Sequence, residues 1–388
     1  MRPHLRVLCT STPGTGHISV LAPVARALRD RGHDVQWAVA ADGGAAVGDM
    51  GFEWSPAGLS TGARRELAAD ALRELMQLPF EERRGPLFAA LFARAAGPVM
   101  QRDLAPIIDR VRPDLVIREV SELAAAPMAA ARGIPLVTVA FSGVLPERAR
   151  GEVLDEMRPL WRAEGLDEPS WADIYGALYL HPFPVSFGQR PDSAVVRPIR
   201  RDRGMPSAEP PPWVAALGTE RPFVYVSSGT EVPSGMFPWR EVIEAMGGMD
   251  LDAVATIGPY IDPAGLGVIP ANVRVERFVP QADLLSRTSA VVSHGGAGTV
   301  LGAAAHGQPQ VVVPLFADQW ENGVAVTDSG CGIVLEPGQR SVDDFDQTLR
   351  ALLTGPSHRD AAARIAQEIE AMPSVGDLAL EIEALAGS

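Results

Sequence analysis

The chain has 388 residues, 46% apolar and 21% charged, the composition of an ordinary soluble globular protein with room for two or three domains, each burying its own core. A formal net charge of −14 argues against nucleic acid or an anionic membrane as a main partner, since neither gains from a repelling field. With cysteine only at Cys9 and Cys331, in different halves, neither a disulfide framework nor a cysteine-based zinc site is expected.

Leu5 to Thr10 reads as the first strand, and Arg2 and Arg6 deny this start the apolar core of a signal peptide. No uncharged apolar run approaches the roughly 18 residues needed to span a bilayer, so a cytoplasmic location without stable membrane association is expected. Gly14-Thr15-Gly16-His17 then opens a helix over Ile18 to Arg31, and Gly32-His33 turns the chain into a strand, Val35 to Ala40. Arg102 to Val111 reads as a helix, Pro113 precedes a strand from Leu115 to Ile117 with Glu119 just past its end, and Ile134 to Phe141 forms a further strand. Ser60 to Gly97 and Ser142 to Tyr179 are helical but less regular. Their aromatics Phe80, Phe88, Phe92, Trp161, Trp171 and Tyr175 suit either a core or the wall of a pocket.

Five prolines fall between Arg197 and Trp213, too many for a long helix or a central strand, so residues 197–215 read as a linker between domains 1–196 and 216–372. Beyond it come a strand Phe223 to Ser227, a helix Trp239 to Met246, strands Asp252 to Ile257, Val273 to Phe278, Ala290 to Ser293 and Val311 to Val313, then a Pro373 break before a last helix, Asp377 to Ala386. Strands alternating with helices predict an α/β protein of two doubly wound parallel sheets, whose ligands bind at the carboxyl ends of the strands.

The glycine-rich turn His294-Gly295-Gly296-Ala297-Gly298-Thr299 follows one of these strands and opens a small-residue helix that ends near Gly307. Such a turn leaves backbone N–H groups free at the positive end of a helix dipole, which suits phosphate; the alternative is a tight connection that binds nothing. Around it stand Phe278-Val279-Pro280-Gln281, Leu284-Leu285, Gly307-Gln308-Pro309-Gln310, Pro314, Ala317-Asp318-Gln319 and Asn322. This ordered set resembles the donor-binding signature of the family 1 glycosyltransferases, in particular those that decorate bacterial natural products such as antibiotics. The resemblance implies the GT-B fold: two Rossmann-like domains facing each other across a cleft, acceptor on the first, nucleotide sugar on the second, and residues 373–388 packing back on the first.

It also implies roles. His17 stands where the family carries a general base, and a helix cap is its alternative; a histidine is well matched to taking a hydroxyl proton near neutral pH. Glu119 is the expected carboxylate partner, ahead of Asp114 and Glu122. His294, the N–H groups of Gly296, Ala297, Gly298 and Thr299, and the Thr299 hydroxyl are expected at the pyrophosphate, with Ser227, Ser228 and Gly229 as the opposite wall. Phe278, Val279 and Gln281 belong to the nucleotide site, and Asp318 and Gln319 to the donor sugar. The other histidines named, His4, His33, His181, His306 and His358, read as surface or turn residues. The scheme that the resemblance implies needs no metal, and no cofactor is expected; Asp250-Leu251-Asp252 matches a metal-binding string but precedes a strand instead of following one, and reads as a chance occurrence.

Relatives that use UDP-sugars carry a glutamate eight residues after the signature histidine, where this chain has Gly302, so a dTDP-sugar is the expected donor. The expected reaction is metal-independent, inverting transfer of a deoxysugar to a hydroxyl of a small aglycone. The sequence leaves the oligomeric state open, a homodimer included. Two other readings remain: a nucleotide-sugar 2-epimerase of the same fold, and a catalytically silent partner of another transferase. A dinucleotide oxidoreductase fits less well, because Gly14 to Gly16 lacks a third glycine.

Overall fold

A computed structural model describes residues 4–79, 82–145, 147–188, 191, 195–201, 206–229, 232, 235–259 and 261–387; Phe80 lies outside them. Contacts divide the chain into two compact units, Met1–Pro182 with Arg190–Arg200 and Pro373–Ser388, and Phe183–Gln189 with Arg201–Met372.

Short β-branched runs make the strands. Among the described residues, the first unit holds a seven-stranded parallel sheet of β1 (Arg6–Thr10), β2 (Asp34–Val39), β3 (Glu53–Pro56), β4 (Leu115–Glu119), β5 (Leu136–Val139), β6 (Leu178–His181) and β7 (Val196–Pro198), in the order 3-2-1-4-5-6-7. The order reverses between β1 and β4, which pair with Cys9 beside Ile117. The helix Thr15–Asp30 follows β1 and buries Ile18, Leu21, Val24 and Leu28 on the sheet. The same core takes Leu378 and Ile382 from the helix Val375–Leu385. Arg31, His33 and Glu383 join that helix to the turn before β2, with His33 Nε2 2.8 Å from Glu383 Oε1 and Arg31 Nη2 2.8 Å from Glu383 Oε2.

The second unit holds, among the described residues, a six-stranded parallel sheet of β8 (Phe223–Ser227), β9 (Asp252–Thr256), β10 (Val273–Glu276), β11 (Ala290–Ser293), β12 (Gln310–Val312) and β13 (Gly332–Val334), in the order 10-9-8-11-12-13. Its reversal lies between β8 and β11, where Ser227 is in register with Ser293.

Several expectations need correcting. The helix predicted from Arg102 begins at Gly97, directly after a π-helical run, Ala89–Ala96, in which small alanines lie close against neighbouring elements. Glu119 is the last residue of β4, not a loop residue, and is fully buried. Leu178–His181, read as the end of a helical region, is a strand on β5. His181 is buried at the end of β6, not at a surface or turn, whereas His33 sits directly after the Arg31-Gly32 turn but is buried there and accepts from Leu5 N–H at 3.2 Å through Nδ1. Val196–Pro198 forms the edge strand β7 inside the proline-rich stretch, where a residue without an N–H disrupts no ladder.

Candidate active site

In the first unit the loop after β1 and the end of β4 meet at the reversal of strand order, the place where doubly wound sheets hold ligands. Backbone bonds from His17 and Ile18 N–H to Gly14 O, at 2.9 and 3.0 Å, wind the helix start tightly and turn the His17 ring back over Gly14. A Cβ on Gly14 would stand 2.7 Å from His17 Cδ2, so that position needs glycine. His17 Nδ1 then lies 3.2 Å from Glu119 Oε2 and 3.5 Å from Ser121 Oγ. Phe141 meets the imidazole edge-on with centroids 4.8 Å apart, and Phe92 lies 5.8 Å away.

Glu119 is saturated. It accepts from Thr12 N–H at 3.2 Å, Thr12 Oγ1 at 3.1 Å and Ser121 N–H at 2.6 Å. Burial alone would raise its pKa, but His17 and these donors overcome that and hold the carboxyl down at about 2. A carboxylate so fixed orients the imidazole and can stabilise it when protonated. The two weaker candidates are used elsewhere. Asp114 pairs with Arg6 at 2.7 Å, and Glu122 accepts from Thr10 Oγ1 at 2.5 Å and Ala124 N–H at 2.8 Å, with burial pushing its pKa up.

Beside this pair is a pocket, open to solvent, whose walls include Ser11, Thr12, Arg64, Phe92, Ser121 and Glu122. Of the expected aromatics, Phe92 lines it, whereas Trp161 is buried in the core. Sequence reading gave no role to Thr12, Ser121 or Phe141. A hydroxyl residue two places after the strand-end carboxylate was the available signal for Ser121, and the Thr10-Ser11-Thr12 run at the end of the first strand was that for Thr12. Nothing marked Phe141 or Arg64.

In the second unit His294 follows β11 and its N–H donates to Ser227 O at 3.3 Å. Its ring is fitted between two glycines. A Cβ on Gly229, where φ is +74°, would stand 2.7 Å from His294 Cε1, and one on Gly296 would stand 2.4 Å from Nε2. Burial pushes the imidazole down to about 4 against the opposing charge of Asp318, so at neutral pH it is an uncharged donor or acceptor. The helix Ala297–Ala305 starts from Gly296. Its first turn corrects one expectation: Thr299 N–H is spent on Gly296 O at 3.0 Å, because the turn closes tightly. Among the described residues, the amides of Gly296, Ala297 and Gly298 have no backbone acceptor. The Thr299 hydroxyl accepts from Gln281 Nε2 at 2.9 Å and keeps its own proton to donate.

The segment after β12 is tied to this turn. Asn322 Nδ2 donates to Gly295 O and to Asp318 Oδ2, both at 2.9 Å. Gln319 Oε1 accepts from Leu315 and Phe316 N–H at 2.7 and 3.0 Å, so the side chain shapes the loop that presents Asp318. Ala317 has φ +57°, a left-handed conformation unusual for alanine, which no composition signal announced. Val279 is buried, while Phe278 is 70% exposed. Ser227 Oγ accepts from Gly229 N–H at 3.1 Å, and Ser228 is buried. Asp250 and Asp252 both face Arg221, an ion-pair use of the string that resembled a metal motif.

Residues 240–385 match the family model for the erythromycin biosynthesis protein CIII-like C-terminal domain. Over the whole length, the chain is 30% identical to the elloramycin glycosyltransferase ElmGT of Streptomyces olivaceus, covering 99% of this chain and 98% of that one. The chain belongs to the bacterial natural-product glycosyltransferases. It is also 30% identical to 4'-demethylrebeccamycin synthase of Lentzea aerocolonigenes, with 98% of this chain and 99% of that one covered. The solved structure of glycosyltransferase VinC in complex with dTDP is 25% identical to it and matches with a TM-score of 0.78 over 98% of this chain and 99% of that one. The fold of this glycosyltransferase is therefore GT-B, built from two Rossmann-like domains. Among the described residues, no helix is long and apolar enough to cross a membrane.

Proposed function

We propose that this glycosyltransferase moves a deoxysugar from a dTDP-sugar to a hydroxyl of a small natural-product aglycone, with inversion and without a metal. The observation that carries the reading is His17 Nδ1 at 3.2 Å from the buried, ionised Glu119. With Nδ1–H donated to Glu119, Nε2 is the acceptor nitrogen available to a substrate hydroxyl. The hydroxyl proton passes to Nε2 as its oxygen bonds to the anomeric carbon, and the bond from that carbon to the diphosphate breaks with its electrons on the leaving oxygen. Glu119 stabilises the imidazolium that results, and one displacement inverts the centre.

Charge growing on the departing dTDP meets the amides of Gly296, Ala297 and Gly298, the Thr299 hydroxyl and the neutral His294, all fixed before the reaction. Asp318, tied to the same turn through Asn322, accepts from the sugar hydroxyls, and Gln319 stands behind it. Phe278 and Val279 take the base, with the Ser227-Ser228-Gly229 turn as the other wall. Thymidine is favoured by Gly302, where a Cβ would stand 3.1 Å from Leu285 Cδ1 and 3.8 Å from Gln281 Oε1: the position lies beside Gln281 and offers a ribose no carboxylate. A cytoplasmic enzyme, with acceptor on the first unit and donor on the second, goes with this reading.

Calorimetric titration with dTDP and with UDP, each with and without magnesium, tests it. Tighter binding of dTDP that ignores the metal is expected. Preference for UDP overturns the donor assignment, and sugar turnover without any acceptor would favour an epimerase.

A further inference from the structure

Among the described residues, two arginines of the first unit are buried, and the fold engages them to different extents. Arg118, fully buried, leaves Nε without a partner but gives Nη1 to the carbonyls of Val120 and Glu122 at 3.2 and 2.6 Å and Nη2 to that of Ile174 at 2.5 Å. Arg64 is 7% exposed, lies on the helix Thr61–Leu67 capped by Ser60, and has Nε and Nη1 buried with no hydrogen-bond partner among the described residues. Its guanidinium rests 4.7 Å from the Phe92 centroid and forms part of the wall of the pocket beside His17 and Glu119. The carboxylates near the cavity do not serve it. Glu119 is engaged by His17, Thr12 and Ser121, and Glu122 by Thr10, Ala124 and Ala125. Burial lowers the guanidinium pKa and the charge of Glu119 raises it only in part, yet arginine stays protonated in proteins. Two buried donors of a permanent charge left without acceptors are costly unless something arrives to satisfy them.

We propose that Arg64 binds an anionic oxygen group, a carboxylate, on the acceptor substrate, so that this transferase selects acidic aglycones. This rests on the reading that the first unit holds the acceptor. Phe92 touches both the guanidinium and the His17 ring, so the anionic group and the reacting hydroxyl can belong to one small molecule. A planar guanidinium suits a carboxylate in a way a neutral polar side chain would not.

The test uses 7-hydroxycoumarin-4-acetic acid and its methyl ester, titrated by fluorescence into the full chain as wild type, Arg64→Met and Arg64→Lys. Wild type is expected to bind the acid about tenfold more tightly than the ester, a preference that Arg64→Met abolishes and Arg64→Lys keeps in part. A wild type that binds both alike, or neither, overturns the proposal, as does an acid preference that survives in Arg64→Met. Should the methionine variant fail to fold, Arg64→Gln takes its place: a preference reduced toward one supports the proposal, and an unaltered preference overturns it. Calorimetry with dTDP on the same proteins reads the donor assignment separately, since its failure leaves the acid-to-ester ratio untouched.

Discussion

Two histidines, each near the reversal of strand order in its own sheet, are held in opposite ways. His17 faces an ionised carboxylate, whereas His294 is wedged between Gly229 and Gly296 and kept uncharged by burial. The difference is measurable. Replacing His17 by alanine removes the proposed proton acceptor, and kcat is expected to fall at least about 10²-fold while dTDP affinity, read by calorimetry, stays put. Glu119→Gln is expected to lose a similar factor in kcat, through loss of the imidazolium's partner. Held at about 2, Glu119 is ionised throughout any practical assay range, so the acid limb of the pH profile does not belong to it. For His294 the folded pKa of about 4 lies below the ordinary value near 6.5, so the unfolded chain binds the proton more readily between those limits. Stability is therefore lost as pH falls from about 6.5 to about 4. Urea midpoints at pH 7 and pH 5 should drop further for wild type than for His294→Gln; equal drops would refute the buried, neutral ring. Both histidines were legible in the sequence because each follows a strand and heads a helix. Arg64 was not, since an arginine on an amphipathic helix carries no mark of which face meets solvent.

At the scale of elements, the glycine turns explain why some boundaries were readable and others not. Ala290–Ser293 and Phe223–Ser227 match the expected ranges because glycine turns close behind them. The helix Gly97–Val111 was read too short because its start continues a π-helical run of alanines, which has no 3.6-residue periodicity to read. The turn around His294 makes a sharper point, since the space at Gly296 is filled by the ring itself. Gly296→Ala must push His294 Nε2 away from 2.4 Å and is expected to weaken dTDP binding by about tenfold or more, with a melting temperature near that of wild type. Undiminished affinity would show that the ring does not need its present place. Gly298, whose Cβ would meet nothing within 4 Å, is the matching control: Gly298→Ala leaves the ring alone.

Over the whole molecule, two doubly wound sheets were legible from strands alternating with helices, and the reversal of order in each sheet puts both candidate sites at strand ends. The path of the chain was harder to foresee. Phe183–Gln189 belongs to the second unit although β7 lies beyond it, because Phe183 and Phe187 are buried among Ala304, Ala362 and Ile365. Packing of side chains, not proline content, sets that allegiance. The helix Val375–Leu385 completes the first core through Leu378 and Ile382, and Glu383 anchors it to Arg31 and His33. Glu383→Ala is expected to cost about 1–3 kcal/mol in urea unfolding, as loss of hydrogen bonds to charged partners does. The bonds from Arg31, then His33, hold Glu383 down at about 2, so its contribution is complete above the ordinary value near 4.3 and lost as pH falls toward 2. The gap between wild type and variant should close as pH falls below about 4 toward 2.

That late helix also bears on how the protein is made. A ribosome releases the seven described strands of the first sheet long before it reaches Leu378, with Arg201–Met372 of the second unit still to be synthesised in between. Until then Leu21, Leu28 and their neighbours have no complete cover, so the unit that emerges first is the one that finishes folding last. A nascent chain cut short anywhere before this point leaves an unfinished core exposed to chaperones and proteases, and premature release yields debris instead of a stray half-enzyme.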